Sequence, residues 1–298
     1  MATTLKVKNS TSDRVFNSVL YTMSALFLAV IIYPLYFIII ASISDPAAVN
    51  TGKVWIVPVN FTLEGYQELL RQANVWLGYR NTILYTAVGT LIALAINVSA
   101  GFALSWKNLP GRKVINLFFI FIMFFSGGLI ATFLTVQNFG LYNTFWVMVL
   151  PFAVSVYNVI VARTFFQNTI PADLWESAQL DGCGYLRYFV VIALPLSKAI
   201  LAVLGLWTAV GHWNSYFNAL IYIRDESLYP LQLVLRNILV NNQMMSAMGT
   251  GEAAQIALRA ANLMRYALII VSTAPILCIY PFVQKYFNQG TMVGAVKG

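Results

Sequence analysis

The feature that most limits the fold is one long stretch without charge. Between Val114 and Ala162 the sequence has 49 consecutive residues, none of them Asp, Glu, Lys, Arg or His. A membrane-spanning helix needs about 20 mostly apolar residues, so this stretch is too long for one span and fits two. Gln137, Asn138 and Gly140 cluster near its middle and predict a tight turn at about residues 135–143. A lipid bilayer can solvate an apolar stretch of this length, whereas a soluble domain would lack the polar residues to cover it.

The composition predicts an all-helical integral membrane protein. Hydrophobic residues make up 59% of the 298 residues and charged residues 9%, against roughly a quarter charged in soluble domains. The net charge of +8 comes without a Lys/Arg-rich block, so nucleic acid is not an expected partner. Cys183 and Cys278 lie far apart in the sequence, and His212 is the single histidine. We therefore expect no metal site, no catalytic cluster and no cofactor on this chain.

Charge-free stretches predict six spans. They divide the chain into a cytoplasmic tail (1–14), a six-span domain (15–290) and a second tail (291–298), with spans at about 15–42, 81–106, 114–134, 143–162, 196–217 and 266–284. An even number of spans places both termini on one side of the membrane. The short loop Lys107–Lys113 carries three basic residues, and short basic loops favour the cytoplasmic side. Both termini are therefore expected in the cytoplasm.

Two adjacent glycines, Gly127 and Gly128, fall inside the third predicted span. Small residues allow membrane helices to pack closely, and this is the favoured interpretation of the pair. The alternative interpretation is a hinge within the span.

The predicted cytoplasmic segment between spans 4 and 5, residues 163–195, has the pattern of two short helices. Pro171 suits the first position of a helix, because its missing N–H is not needed there. Asp173 and Glu176 follow in or near the first turn, where negative charge favours the helix dipole. The pair Asp181-Gly182 is expected to end this first helix.

The first of these helices has an apolar stripe, formed by Ile170, Leu174 and Ala178 at four-residue spacing with Trp175 beside them. A second short helix, at about residues 185–192, leads into span 5. Two interpretations of the pair remain open from the pattern. The pair can lie as a surface element in the headgroup region. Alternatively, its apolar face stays free, docks into a groove on a soluble partner and passes the partner's motion to the spans.

The order of residues in this segment resembles a family motif. Glu176-Ser-Ala-x-x-Asp-Gly, nine further residues and then Ile192-x-Leu-Pro195 is similar to the EAA motif of ABC importer permeases. Ser177 and Cys183 stand where the motif usually has Ala, and Ala199 stands where many members have Pro. Ser and Cys are small, so the close packing of the motif is expected to survive.

Other segments extend the resemblance to about residues 15–290. Four of them are similar to the carbohydrate branch of the family: Tyr79-Arg-Asn-Thr-Ile83, Gly140-Leu-Tyr-Asn-Thr144, Leu150-Pro151 and Trp213-Asn-Ser-Tyr216. Together they resemble the smaller, six-span permease of maltose-type importers. Two more are similar to the lipoprotein/polysaccharide-type sub-branch: Ser126-Gly-Gly-Leu-Ile130 and Tyr229-Pro-Leu-Gln-Leu233.

The resemblance implies a transport function and a set of partners. The chain would be a transmembrane permease of an ATP-driven importer in a bacterial cell membrane. Its partners would be a second, different permease, an ATPase dimer that holds ATP and Mg, an extracellular solute-binding protein and the surrounding membrane lipid. The chain lacks the Gly-x4-Gly-Lys-Ser/Thr loop that cradles nucleotide phosphates, so it is expected not to be an enzyme itself.

The resemblance also assigns residues to ATPase coupling, because in the family the EAA helix docks into a cleft on the ATPase. Gly182 would allow the sharp turn between the two helices, and Pro195 would set the bend into span 5. The full set of coupling residues is Pro171, Asp173, Leu174, Glu176, Ser177, Ala178, Asp181, Gly182, Ile192, Leu194 and Pro195.

The densest polar and aromatic cluster beside a span runs from His212 to Asn218. Sugars stack their apolar faces on aromatic rings and hydrogen-bond to amides and hydroxyls, so the expected pathway residues are Trp213, Asn214, Tyr216 and Asn218. The alternative role of these residues is hydrogen bonding between helices. The expected substrate is an oligosaccharide or a sugar derivative, with glycerol phosphate and polyols as alternatives. A secondary carrier is the alternative from another class, but it leaves residues 163–195 unexplained.

Overall fold

The structure is a computed structural model that describes residues 10–248 and 252–295. Every regular element in these ranges is helical. The α-helices are α1 (Thr11–Ser42), α2 (Pro46–Asn50), α3 (Glu64–Arg71), α4 (Ala73–Ser105), α5 (Arg112–Phe124), α6 (Gly128–Asn138), α7 (Val156–Thr169), α8 (Ala172–Leu180), α9 (Tyr185–Tyr188), α10 (Leu194–Leu196), α11 (Lys198–Trp213), α12 (Tyr216–Tyr222), α13 (Leu231–Met248) and α14 (Glu252–Ala295). Short 3-10 helices cover Phe145–Met148 and Glu226–Leu228, and a π turn covers Phe189–Ala193.

The two predicted tails are only partly described. Residues 1–9 and 296–298 lie outside the described residues. Within the described residues, α1 already begins at Thr11 and α14 extends to Ala295, so both helices run past the predicted tail boundaries. The start of α1 is capped, because the Ser10 backbone N–H donates to the Asp13 carboxylate at 2.9 Å.

The chain forms two compact units. The first comprises the chain up to Arg71 together with Asn241–Val271, and the second comprises Gln72–Val240 together with the chain from Ser272 onward. In the first unit, the last turn of α1 packs on α2 and the loop that follows, around buried Ile40 and Val49.

Helix α3 completes the described part of the first unit by packing on α14. A Cβ atom placed on Gly65 would overlap the backbone carbonyl of Leu263, so a glycine is needed for this approach. Beside it, Arg259 and Glu64 form an exposed ion pair at 3.6 Å. Exposed ion pairs contribute little, so the close backbone packing is the main contact.

The second unit is built around α4, along which both α7 and α11 pack. Glycines on α4 make the approach possible. A Cβ atom on Gly101 would lie 2.6 Å from the Ala162 Cβ and 2.9 Å from the Arg163 backbone N, and one on Gly89 would overlap the His212 ring. Small residues at contacts are the usual way for membrane helices to approach closely.

The described residues contain three to five candidate spans by length and composition. Three helices are each long and apolar enough to span a membrane, namely α1, α4 and residues Ala261–Pro281 of α14. Two sharply bent pairs of helices are long and apolar enough to span a membrane only when the two helices are counted together. They are α5 with α6, and the helical run Tyr185–Leu196 with α11. The count is below the six predicted, because predicted span 4 at 143–162 is not one helix. It contains a 3-10 helix, a non-helical stretch and the first half of the 14-residue α7.

The favoured interpretation of Gly127 and Gly128 as a packing site was wrong. Helices α5 and α6 meet there at 114°, inside predicted span 3. Gly128 has a φ of 78°, and no atom lies within 4 Å of a Cβ atom built on it. Because a positive φ favours glycine, the pair forms a turn and not a close contact. The turn predicted at about residues 135–143 is confirmed, with Gly140 and Asn143 at φ values of 68° and 57°.

Candidate functional site

Helix α8 forms where the sequence predicts the first short helix. It begins directly after Pro171, whose backbone is extended, and Asp173 lies in its first turn. The Ser177 hydroxyl donates to the backbone carbonyl of Asp173 at 3.0 Å, so the Ser177 side chain bonds within the helix itself. Its start therefore follows from the helix signals in the sequence.

Gly182 ends α8 as expected. Its φ of 72° lies in the left-handed region, and no atom lies within 4 Å of a Cβ atom built there. The Gly182 N–H donates to the Gln179 carbonyl at 3.0 Å, and the Cys183 N–H donates to the Ala178 carbonyl at 2.8 Å. These bonds satisfy carbonyls that the end of the helix leaves open. The requirement for glycine at this position is thus conformational and not steric.

The apolar stripe of α8 mostly faces inward, which does not fit the free apolar face of the second open interpretation. Ala178 is buried and Trp175 is half-buried, while Leu174 is partly exposed. The outer face carries a mostly polar set of exposed side chains: Asp173, Glu176, Ser177 and Leu180. Leu180 is 90% exposed and is the main apolar group on that face.

Seven aromatic rings, which we call the ring cluster, join α8 and α9 to the end of α4. Trp175 stacks on Tyr185 with 4.5 Å between ring centroids, and Trp106 meets both edge-on at 4.8 and 5.3 Å. The other members of the cluster are Tyr188, Phe189, Phe102 and Phe166. Each such pair contributes about 0.5–1.5 kcal/mol beyond burial. The ring cluster therefore holds α8 and α9 against the end of α4.

Polar side chains close the same end of α4. The Arg112 Nε donates to the Leu104 carbonyl at 2.9 Å, and the Gln167 Nε2 donates to the Ser105 carbonyl at 3.2 Å. The last carbonyls of a helix have no partner within it, and a cation is favourable beside them. The start of α5 and the end of α7 are thereby tied to the end of α4.

A groove of about 650 Å³ lies between this end of α4 and α8. Glu176 lines it from α8, and Lys107 and Arg112 line it from the opposite side. The indole N–H of Trp106, on the same wall, is buried without a hydrogen-bond partner among the described residues.

The second half of the motif leads into α11. Ile192 and Leu194 are half-buried and pack on the same core, whereas Pro195 is exposed. Pro195 has no N–H for the carbonyl four residues earlier, and residues 189–193 are wound as the wider π turn. The helix then meets α11 at 82°, with the break at Ser197. The bend thus falls two residues after Pro195.

The opposite end of α4 binds the loop that precedes α13. The Asn81 Nδ2 donates to the carbonyls of Ser227 and Tyr229 at 2.7 and 3.0 Å. The Tyr85 hydroxyl donates to the Leu228 carbonyl at 2.8 Å. Asn81 belongs to one of the segments that resemble the carbohydrate branch, and its observed contacts are structural.

Asn143 holds the same loop from another side. Its backbone is left-handed, and its Oδ1 accepts the N–H groups of Arg224 and Asp225 at 2.8 and 2.9 Å. Hydrogen bonds from the backbone N–H and the hydroxyl of Ser227 hold the pKa of Asp225 below its ordinary value, so this carboxylate is ionised at neutral pH. Asn143 and Asn81 together fix the loop between α12 and α13.

A cavity of about 510 Å³ opens in the second unit between α4, α7 and α11. Helices α7 and α11 both pack on α4 but have few contacts with each other, which leaves this space. The polar side chains that line it are Asn97, Ser155, Asn158, Thr208, His212, Ser215 and Asn218, and the rings are Phe152, Tyr157 and Trp207.

The structure separates the four expected pathway residues. Asn218 lines the cavity, whereas Asn214 and Tyr216 are exposed and lie outside its lining. Trp213 is buried, and its indole N–H donates to the Ser272 carbonyl at 2.9 Å. The α11 helix ends within this cluster, so predicted span 5 is broken there. A transport role for these residues stays a prediction.

Two polar residues of the cavity, Asn97 and Asn158, were missed by the sequence analysis. The Asn97 Nδ2 donates to the Ala153 carbonyl at 2.8 Å, and its Oδ1 accepts the Ser155 N–H at 2.8 Å. Asn97 thereby fixes the non-helical stretch before α7. The signal was an amide inside an apolar span, because such residues usually face the bundle interior.

These features define a class of protein. A membrane bundle with a polar cavity between its helices, and a rigid helix pair held at one end, has the parts of a transport permease. Residues 97–293 match the family described as the inner membrane component of binding-protein-dependent transport systems. The chain belongs to this family and is a permease subunit of an ABC importer. The resemblance drawn from the sequence is thus confirmed.

Individual relatives span the whole chain. The LplC protein of Bacillus subtilis is 36% identical and covers 100% of both chains. The polygalacturonan/rhamnogalacturonan transport system permease YtcP of the same organism is 34% identical over 96% of this chain and 99% of its own. A solved chain of a bacterial ABC transporter involved in the import of the acidic polysaccharide alginate superposes with a TM-score of 0.84. It is 32% identical and covers 95% of this chain and 100% of its own.

Proposed function

We propose that this chain is one of two different permeases in a saccharide importer, and that α8 and α9 receive the motion of a cytoplasmic ATPase. The ring cluster is the observation that carries this proposal. It fixes the helix pair to α4 on the inner side, while Glu176 and Leu180 remain exposed on the outer side. An exposed, rigid helix can enter a groove on a partner. ATP and Mg bind on that partner and not on this chain.

An oligosaccharide or a sugar derivative is the proposed substrate, delivered by an extracellular solute-binding protein. Support comes from the printed functions of YtcP and of the alginate transporter, both of which handle polysaccharides. The family description supports the binding protein, since it names binding-protein-dependent transport.

Six crossings are proposed, and contacts at the two ends of the second unit support four of them. Trp106 contacts Trp175, which brings the α4–α5 loop and α8 to one end. Asn81 and Asn143 both bind the loop before α13 at the other end. The chain therefore passes between the ends through α4, through α5 with α6, through α7 and through α11. Helices α1 and α14 supply the other two crossings.

The end that holds α8 is proposed to be cytoplasmic. The short loop beside it carries Lys107, and α5 begins with Arg112 and Lys113, as the positive-inside rule expects. With six crossings, both termini then lie in the cytoplasm of a bacterial cell whose inner membrane holds the protein.

The charge-reversing variant Glu176→Lys tests the coupling proposal. The chain is expressed with its partner permease, ATPase and binding protein, and co-purification of the ATPase and ATP-dependent saccharide uptake are measured. We expect the variant to lose the ATPase or to lose uptake, because the outer face of α8 would then carry the opposite charge at the contact.

Glu226→Lys is the matched control, because it makes the same charge change at an exposed residue on the opposite end of the unit. It should keep both the ATPase and uptake. Normal docking and uptake in Glu176→Lys would refute the coupling role of α8. Solute movement by the chain alone in liposomes would instead support a secondary carrier.

A further inference from the structure

The cavity between α4, α7 and α11 combines two aromatic rings with free polar groups. Tyr157 and Trp207 both line the cavity, with ring centroids 5.5 Å apart, and the two residues are 56% and 42% exposed. Exposed aromatic rings beside a polar cavity form a flat apolar surface on which the C–H face of a sugar can stack. The volume of about 510 Å³ lies within the ordinary range of small-molecule sites.

Amide groups beside the rings keep unused hydrogen-bonding capacity. Asn158 is 8% exposed, and its Nδ2 makes only a long bond of 3.4 Å to the Thr208 hydroxyl. The Asn158 Oδ1 and the side-chain amide of Asn218 have no partner among the described residues, and both residues line the cavity. A half-satisfied polar site of this kind favours a ligand with many hydroxyl groups.

The same cavity carries no formal charge from Asp, Glu, Lys or Arg. None of these residue types occurs in its lining, where His212 is the one titratable side chain besides tyrosine. The three surrounding helices have Arg80, Arg163 and Lys198 as their charged residues, all outside the lining. The Arg163 Nη1 donates to the Asn116 Oδ1 on α5 at 2.6 Å.

Two buried hydroxyls lie further along the same face of α4. Thr86 and Thr90 share a helical stripe with Ala93 and Asn97, which line the cavity, because residues three and four apart lie on one face. The Oγ1 atoms of both threonines are buried and have no hydrogen-bond partner among the described residues. Buried polar atoms without a partner are rare, so the stripe of α4 that leads to the cavity is unusually polar for its burial.

We propose that this cavity is a binding subsite for an uncharged sugar unit, with Trp207 and Tyr157 as its platform and with Asn158 and Asn218 as its hydroxyl partners. The proposal rests on the transport function proposed above and adds a selectivity to it. A hexuronate carboxylate inside the cavity would meet no Arg or Lys, and an unpaired buried anion is strongly unfavourable. The subsite should therefore prefer a neutral ring to its acidic counterpart.

Protection from thiol labelling in the complete importer tests the proposal. Gly211 lines the cavity, and no atom lies within 4 Å of a Cβ atom built on it, so Gly211→Cys adds a reporter without displacing a contact. The native cysteines Cys183 and Cys278 are replaced by serine. Trigalacturonate and its methyl ester are the probes, because they share the same rings and differ in charge. Maltotriose and raffinose are added as neutral sugars of other linkage.

We expect a neutral probe to slow the labelling of Gly211→Cys several-fold and trigalacturonate to slow it far less. Trp207→Ala should abolish this protection, and Trp207→Phe should keep it. The control is Glu226→Cys in the same cysteine-free chain, at an exposed position outside the cavity lining, whose labelling no probe should change.

Three results would overturn the subsite. They are stronger or equal protection by the free acid, no protection by any probe, and protection that survives Trp207→Ala. ATP-dependent uptake is measured on the same preparations. If uptake of every saccharide is absent while the ATPase docks, the proposed substrate class fails. If uptake is present without protection of Gly211→Cys, only the subsite fails.

Discussion

Asn143 shows how one side chain can hold a loop that the sequence leaves undefined. It combines a left-handed backbone with an acceptor for two N–H groups of the loop before α13. Asn tolerates this backbone better than other residues that carry a Cβ atom. Asn143 thus supplies both the left-handed backbone and the hydrogen-bond acceptor, and different substitutions of it can remove one property or both.

Substitution of Asn143 by Ala should free the loop. The lost hydrogen bonds and the backbone cost together amount to about 2 kcal/mol, which is roughly a 30-fold rise in the open population. Trypsin cleavage after the exposed Arg224 measures this opening. Asn143→Asp keeps the acceptor oxygen, so its cleavage after Arg224 should increase much less. Equal cleavage in the Ala and Asp variants would show that the side-chain oxygen does not hold the loop.

At the scale of elements, the packing of α4 on α7 depends on Gly101. A Cβ atom there meets the Ala162 side chain and the backbone of Arg163 and Val159. We expect Gly101→Ala to destabilise the protein by about 1–3 kcal/mol, as overpacking does. Thermal unfolding in detergent measures the change.

Gly205 on α11 provides the matched control for this prediction. A Cβ atom there meets only the flexible end of Leu94, at an ordinary 3.5 Å. Gly205→Ala should therefore be neutral or stabilising by up to about 1 kcal/mol, because Ala is the better helix former. Equal destabilisation by both substitutions would contradict the close contact of α4 with α7.

The ring cluster makes a second prediction at this scale. Trp106→Ala should lower stability by about 3 kcal/mol and also reduce the saccharide imported per ATP hydrolysed, because α8 loses its contact with α4. Trp106→Phe should be mild, since the indole N–H has no hydrogen-bond partner to lose among the residues that the structure describes. A destabilised Trp106→Ala protein that keeps the full ratio of uptake to ATP hydrolysis would limit the cluster to a structural role.

At the scale of the whole molecule, the two ends of the second unit should lie on opposite faces of the membrane. In a cysteine-free chain, Glu226→Cys and Lys107→Cys each place a thiol at an exposed position, one at each end. A membrane-impermeant thiol reagent added to cells with a permeabilised outer layer should label the first and not the second. Disruption of the inner membrane should expose both. Labelling of both positions before disruption would refute the proposed topology.

The sequence by itself determined the membrane class, the family and the start and end of α8. These rest on local properties: runs of apolar residues, a proline and an acidic group at a helix start, and a glycine where φ must be positive. The family match over residues 97–293 confirmed the resemblance that the EAA motif carried. The local order of residues is enough for such features, because each depends on near neighbours in the chain.

Only the tertiary structure decided which face of each element is used. Apolar stripes and glycines allow both burial and exposure, so the inward position of Trp175 and the turn at Gly128 depended on distant partners or on their absence. Trp213, which was expected in the pathway, proved to be buried, whereas Asn158, which the sequence analysis missed, lines the cavity. A lipid-facing side chain and a cavity-facing one can have the same neighbours in sequence. Contacts between α4, α7 and α11 decide which of these side chains face the cavity, and these contacts join residues far apart in the chain.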